Sequence, residues 1–189
     1  MVQVGRRGGP GLIGRPSGMV PPVAGDELTD EERATWFAYM RVLLRMEHEM
    51  HHQLQAEAGL SLTDFHVLNA LADSPGRRLQ LTALAARIGF ERSRTSHHVK
   101  RMGERGLVRR EPSAADARAT DALLTEAGLE ALRAATPGHV AWVRTLFFDG
   151  LDPALLEPLR GALEQIHAQV LAHGTLPDPG PPQRDFAER

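Results

Sequence analysis

Apolar residues recur at helical spacing through the middle of the chain. From Trp36 onward, Tyr39, Met40, Leu43, Leu44, Met46, Met50 and Leu54 fall on three- and four-residue steps, which predicts one helix ending near Ala58. Thr29 or Asp30 offers its N-cap, Glu31 and Glu32 place negative charge in its first turn, and Gly59 closes it. At 1.5 Å per residue such a helix spans about 40 Å, more than one small domain needs, and a helix this long commonly serves dimerisation. The pattern then shortens. Thr63 is positioned to cap a short helix with Phe65, Val67, Leu68 and Leu71 inward, followed by a turn at Ser74-Pro75-Gly76 and a short strand at Leu79-Gln80-Leu81.

Thr82 then opens a helix packed through Leu84, Ala85 and Ile88, and Gly89 allows a sharp turn because it has no Cβ to clash at positive φ. The next helix, from Arg92 to Arg105, has Val99 and Met102 as its buried positions and turns Ser93, Arg94, Ser96, His97, Lys100 and Arg101 outward. Gly106 ends it. Leu107-Val108 begin a strand, Glu111 to Arg118 form a turn, and Ala119 to Leu124 return as a second strand. Thr125 caps a long helix that Pro137-Gly138 is expected to kink or interrupt before it resumes through Val140, Trp142, Val143, Leu146 and Phe147. Asp152, with Pro153 behind it, starts a last helix reaching about His173. Helix, turn, helix, strand, turn and strand in that order predict a mainly α fold with a small β-wing, a winged helix-turn-helix flanked by long helices. Residues 1–28 are a Gly/Pro-rich arm and 175–189 a Pro-rich tail, both read as flexible.

Composition sharpens this picture. With 189 residues and 42% hydrophobic content the chain can bury one core. It has no run of apolar residues long enough for a membrane span and no N-terminal apolar segment of a secretory signal, so a cytoplasmic protein without membrane association is expected. Cysteine is absent, which removes disulfides, thiolate metal sites and thiol-based redox sensing.

The net charge of −2 hides a segregation: between Arg77 and Arg118 eleven Lys/Arg face four Asp/Glu, a local +7 that leaves −9 for the rest. A basic helix and wing on an acidic body form the electrostatic footprint of double-stranded DNA binding. The sequence holds no phosphate loop, nucleophile elbow or His-Glu-x-x-His, so enzyme chemistry and a cofactor are not expected. A winged helix used for protein contact would carry a neutral or acidic recognition helix, which this chain lacks.

The stretch from Thr63 to Thr125 resembles the MarR family of bacterial regulators. The matching pieces are LTDFHVLNAL, LTALAARIGFERSRTSHHVKRMGERGLVRR, the wing pair Asp116-x-Arg118, and Leu124-Thr125-x-x-Gly128, with the helix order extending the likeness over about residues 30–173. The resemblance implies a homodimer in which helices within 29–60 and 126–174 associate and each lobe 61–125 meets DNA at one half of a pseudo-palindromic site, most commonly as a repressor. It places Arg92, Ser93, Arg94, Ser96 and His97 where the recognition helix meets DNA. Arg94 is the choice for a guanine, because its guanidinium bonds O6 and N7 together. Lys100 and Arg101 fall where phosphates lie. Arg118 matches the wing arginine of the minor groove, with Asp116 orienting it or tightening the turn. His97-His98 departs from the commoner Arg or aliphatic residues, and the wing is short and Ala-rich.

Relatives of this kind bind small aromatic or anionic effectors where dimer helices meet the DNA lobe, and Trp36, Tyr39, Met40, Leu43, His51, His66 and Trp142 are the candidates here. Trp36 and His66 pair an apolar wall with an imidazole handle for an acid. An alternative is a metal- or pH-responsive regulator using His48, His51 and His52, which at i, i+3 and i+4 lie on neighbouring turns. The principal expectation assigns no metal.

Overall fold

The structure, a computed structural model, describes residues 27–114, 116 and 118–180. The arm expected over 1–28 lies almost wholly outside the described residues, as does the tail beyond 180. The first helix, α1 (Asp30–Ala58), has the predicted bounds. Thr29 is its cap: the Thr29 hydroxyl accepts from the Glu32 amide at 3.2 Å while Glu32 Oε2 accepts from the Thr29 amide at 2.7 Å. By compactness the chain divides between Val42 and Leu43. In the first unit Trp36 and Tyr39 pack ring to ring at 5.6 Å.

The second unit contains the end of α1 and everything after it. Helix α2 (Leu62–Ala72) begins earlier than the sequence reading placed it. Its cap is Ser61, not Thr63, because Ser61 and Asp64 form a reciprocal capping box. A three-residue turn, Pro75–Arg77, leads into β1 (Arg78–Gln80), which runs directly into α3 (Leu81–Arg87). Thr82 does not cap α3. Leu81 is already helical and buried, so the chain enters the helix from the strand without a side-chain cap, and the Thr82 hydroxyl bonds Gln80 Oε1 instead. Gly89, at φ 72°, makes the turn into α4 (Arg92–Glu104).

Strands β2 (Val108–Pro112) and β3 (Thr120–Leu124) form the wing, and β1 completes an antiparallel sheet of order β1-β3-β2. Arg78 on β1 pairs with Asp121 on β3 at 3.4 Å and with Glu111 on β2, so one guanidinium spans all three strands. The core beneath is aliphatic: Leu54, Leu60, Val67, Leu68, Leu71, Leu84, Val99, Met102 and Ala122 are at most 1% exposed. Each such large side chain contributes roughly 1.5–3 kcal/mol by leaving water.

Helix α5 (Glu126–Val143) continues without interruption through Pro137. The missing proline amide deprives only the carbonyl of Arg133, which lies on an exposed side of the helix where water serves it. The irregularity comes later, as a π-type turn at Arg144–Phe148. Asp152 accepts from the Ala154 amide and opens a 3-10 turn, Pro153–Leu155, ahead of α6 (Leu156–His173).

The junction of the wing with α5 explains the spacing Leu124-Thr125-x-x-Gly128. The Thr125 hydroxyl accepts from the Gly128 amide at 3.0 Å and donates to the Gly106 and Leu107 carbonyls at 2.7 and 2.9 Å. A Cβ at position 128 would stand 2.1 Å from the Leu107 carbonyl oxygen. Backbone cannot yield as a flexible side chain does, so Gly128→Ala must pry α5 from the start of β2. We expect it to destabilise the fold by about 1–3 kcal/mol, read as a lower midpoint in urea.

Candidate nucleic-acid interface

Helix α4 owes its exposed face to what its other face buries. Thr95, Val99 and Met102, on successive turns, are fully buried, and the Thr95 hydroxyl donates to the Glu91 carbonyl at 3.0 Å. That anchoring leaves Arg92, Ser93, Arg94, His97, Lys100 and Arg101 exposed and Ser96 half-buried. All the outward positions expected on this helix therefore share one solvent-facing side. The Arg94 guanidinium lies 3.9 Å from the centroid of the Phe90 ring, a cation–π contact that gives a long side chain a preferred direction.

A group the sequence reading did not single out holds α4 in place. Asp64, in the first turn of α2, has a side chain only 3% exposed. Its Oδ1 meets His98 Nε2 at 2.8 Å, and its Oδ2 accepts from Arg105 at 2.7 Å and from the Ser61 amide at 2.9 Å. Arg105 also donates to the Gly59 carbonyl at 2.9 Å, tying the end of α4 to the α1–α2 corner. Burial opposes the charge on Asp64, but hydrogen bonds from His98, Ser61 and Arg105 outweigh it and hold the carboxyl far below its ordinary range. His98 passes the constraint outward. Arg101 stands 3.0 Å from His98 Nδ1, and a guanidinium only donates, so Nδ1 accepts and the ring proton sits on Nε2 facing Asp64. The capping-box spacing Ser61-x-x-Asp64 was the one legible trace of this cluster. Its link to His98 and Arg105 is purely tertiary.

On the wing, Asp116 Oδ1 accepts from the Arg118 backbone amide at 2.9 Å, and the Ser113 amide donates to the Ala119 carbonyl at 3.0 Å. Asp116 thus tightens the turn through the backbone, leaving the Arg118 side chain exposed. Arg92, Asp116 and Arg118 border a common depression with Gln80 and Thr82, so the start of α4 and the wing lie side by side.

The proposed effector residues are distributed differently. Trp36, Tyr39 and Met40 belong to the first unit and Leu43, His51, His66 and Trp142 to the second. His51 lies beside α4, its Nδ1 accepting from the Leu62 amide at 3.4 Å, and shares a cleft with Arg94, His97 and Arg101. Trp142 stacks at 5.9 Å on His139, a residue the sequence reading passed over, whose other side meets Phe65 at 4.6 Å. Burial, with repulsion from His66, pushes the His139 imidazole below its ordinary value. None of the expected residues lines the groove of about 880 Å³ formed by Ala72, Leu129, Leu132 and Val140 with Arg77 and Arg144 at its edge. His48, His51 and His52 do not converge, and among the described residues no three ligand-type side chains are placed to hold a metal ion. No described helix is long and apolar enough to cross a membrane.

An exposed basic helix, packed behind a tight turn and flanked by a two-stranded wing, defines a winged helix-turn-helix DNA-binding protein. A sequence profile of the MarR family matches residues 58–119. Sco3205, a MarR family transcriptional regulator from Streptomyces coelicolor solved in complex with DNA, is 39% identical, with a TM-score of 0.74 over 81% of this chain and 96% of its own. AbsC, a MarR family transcriptional regulator from the same organism, is 37% identical, with a TM-score of 0.73 over 78% of this chain and 99% of its own. CouR from Rhodococcus jostii RHA1, bound to p-coumaroyl-CoA, shares the fold at 24% identity and a TM-score of 0.60, over 75% and 93% of the two chains. A search of curated proteins finds no match. The chain belongs to the MarR family: it is a DNA-binding transcriptional regulator and not an enzyme.

Two measurements test the supports of this site. Asp64→Ala strips α4 of its anchor and α2 of its cap, and is expected to lower unfolding free energy by on the order of 2–4 kcal/mol in urea melts. The pH dependence separates two groups. Because burial depresses the folded values of His139 and His66 alike, their stabilising contributions are present above ~6.5 and are lost as pH falls further, whereas that of Asp64 survives until pH drops below ~4. Thermal midpoints should therefore fall between pH 7 and 5, and His139→Phe, which keeps the ring stack, should flatten that fall.

Proposed function

We propose that this regulator is a homodimeric, cytoplasmic repressor that binds a pseudo-palindromic operator and is released by a small aromatic or carboxylic effector. The observation that carries the reading is the coexistence of two kinds of exposed surface in one chain. One is the basic face of α4 with Arg118 on the wing. The other is apolar: Trp36, Phe37 and Leu44 on α1 are 51%, 59% and 62% exposed, and α6 buries no residue while exposing Leu163, Ile166 and Val170. Apolar helices of this length left in water are characteristic of surfaces that a second copy covers. A two-fold dimer presents two α4 helices to half-sites about one DNA turn, roughly 34 Å, apart.

Within each half-site Arg94, Ser93, Ser96 and His97 face base edges, Arg92, Lys100 and Arg101 meet phosphates, and Arg118 enters the minor groove with its turn fixed by Asp116. For the effector, the groove between the end of α2 and α5 offers apolar walls with Arg144 at hand for a carboxylate, while Arg77 and Arg133 pair with Glu126 at 3.3 and 3.9 Å. That CouR, of the same fold, is bound to p-coumaroyl-CoA supports an aromatic acyl class of ligand. Release follows if the ligand binds more tightly to a dimer whose α4 helices are misplaced for consecutive grooves.

Gel shifts test the DNA assignments. Arg118→Ala should weaken binding to every duplex and lower the salt slope by about one phosphate equivalent. Arg94→Ala should cost about 1–3 kcal/mol and relax preference at one base position. Unchanged binding in either variant removes that assignment. Light scattering at micromolar concentration should give a dimer, and a monomer there contradicts the two-fold arrangement. Sensing requires that some phenolic or carboxylic compound release DNA at millimolar dose, with Arg144→Ala blunting the response.

A further inference from the structure

The cleft between the α1–α2 corner and α4, of about 480 Å³, is lined by His51, Ser61, Thr63, Arg94, His97, His98 and Arg101, every one of them polar. Each lining side chain carries a polar group, which suits a ligand that takes several hydrogen bonds better than an effector with a large apolar body. No carboxylate is among its described lining residues. Asp64, which bonds the lining residue His98, is buried with its oxygens engaged by His98, Arg105 and Ser61. What remains is a concentration of donors. The Leu62 amide occupies His51 Nδ1, so the neutral ring carries its proton on Nε2 and offers it outward. Arg101 is held at the wall through His98, and Thr63, half-buried, adds a hydroxyl.

We propose that this cleft is a socket for one backbone phosphate of DNA, in which His51 Nε2–H, the Thr63 hydroxyl and the Arg101 guanidinium donate to the phosphodiester oxygens. The inference rests on the reading of α4 as the helix that enters the groove. Arg94 and His97, read as base-facing residues of α4, line the same cleft, so a phosphate seated here fixes the depth and register of the whole helix. His51 and Thr63 lie outside the helix-turn-helix itself. They make the α1–α2 corner part of the DNA surface, and His51 changes from an effector candidate to a backbone contact.

The test uses the full-length protein and an operator that it selects in vitro from a random DNA pool. Thr63→Val, which removes the hydroxyl at nearly constant shape, and His51→Ala should each weaken the operator and an unrelated duplex by the same factor, about three- to tenfold. Base preference should stay unchanged, and Thr63→Ser should keep wild-type affinity. In phosphate-ethylation interference, one phosphate per half-site that blocks the wild type should cease to matter for Thr63→Val, while the other blocked positions persist. Wild-type affinity with a full interference pattern in both variants overturns the proposal. So does a loss confined to base preference, or an effect only on release by small acids. Failure of the wild type to select any operator would defeat the underlying reading, an outcome distinct from an intact operator with an unaltered phosphate pattern.

Discussion

The arrangement of this DNA-binding lobe depends on a buried carboxylate. Asp64 is asked to be charged in a place where charge is unfavourable, and three donors from separate parts of the chain make that tolerable. The consequence is geometric more than energetic. A buried ion that is partnered on all sides has one arrangement that satisfies it, whereas an apolar contact of the same area would tolerate sliding. Asp64 therefore fixes the rotation and depth of α4 against α2, and through His98 it fixes where Arg101 stands. The residues proposed to face DNA are exposed, and without such a fixed base the long ones among them would point in many directions.

A second constraint acts at the other end of the lobe. Thr125 and Gly128 join α5 to the carbonyls at the start of the wing, with no room for a side chain at position 128. The contact couples the start of α5 to the start of the wing through backbone, so neither can shift there without the other.

Charge supplies the remaining element. The net +7 of residues 77–118 against the −9 of the rest concentrates attraction for DNA in the segment that holds α4 and the wing, which favours one orientation of the encounter before any base is read. Within that field the hydroxyls of Ser93 and Thr63 carry no charge, so in the proposed complex they would add direction and hydrogen bonding but little net attraction. The His97-His98 pair divides accordingly: His97 is exposed beside Arg94, while His98 turns inward to Asp64. Adjacent residues on a helix point about 100° apart, so identical side chains serve a surface and a core.

Periodicity and punctuation in the sequence determined the element order, the buried faces of α2 and α4, the wing and the cap at Thr125, because each depends on neighbours within a few residues. Charge segregation along the chain likewise determined that the lobe would seek DNA. Errors arose where a local signal had two readings: Ser61 and Thr63 both suit an N-cap, and only the return bond from Asp64 selects Ser61. Pro137 looked like a break because sequence does not reveal which side of α5 faces solvent. The contacts joining residues distant in the chain were decided by tertiary structure alone. Asp64 with His98 and Arg105, Gly128 against Leu107, His139 between Phe65 and Trp142, and His51 beside Arg101 have no sequence spacing that encodes them. They arise from packing of elements whose separate formation the sequence had already specified.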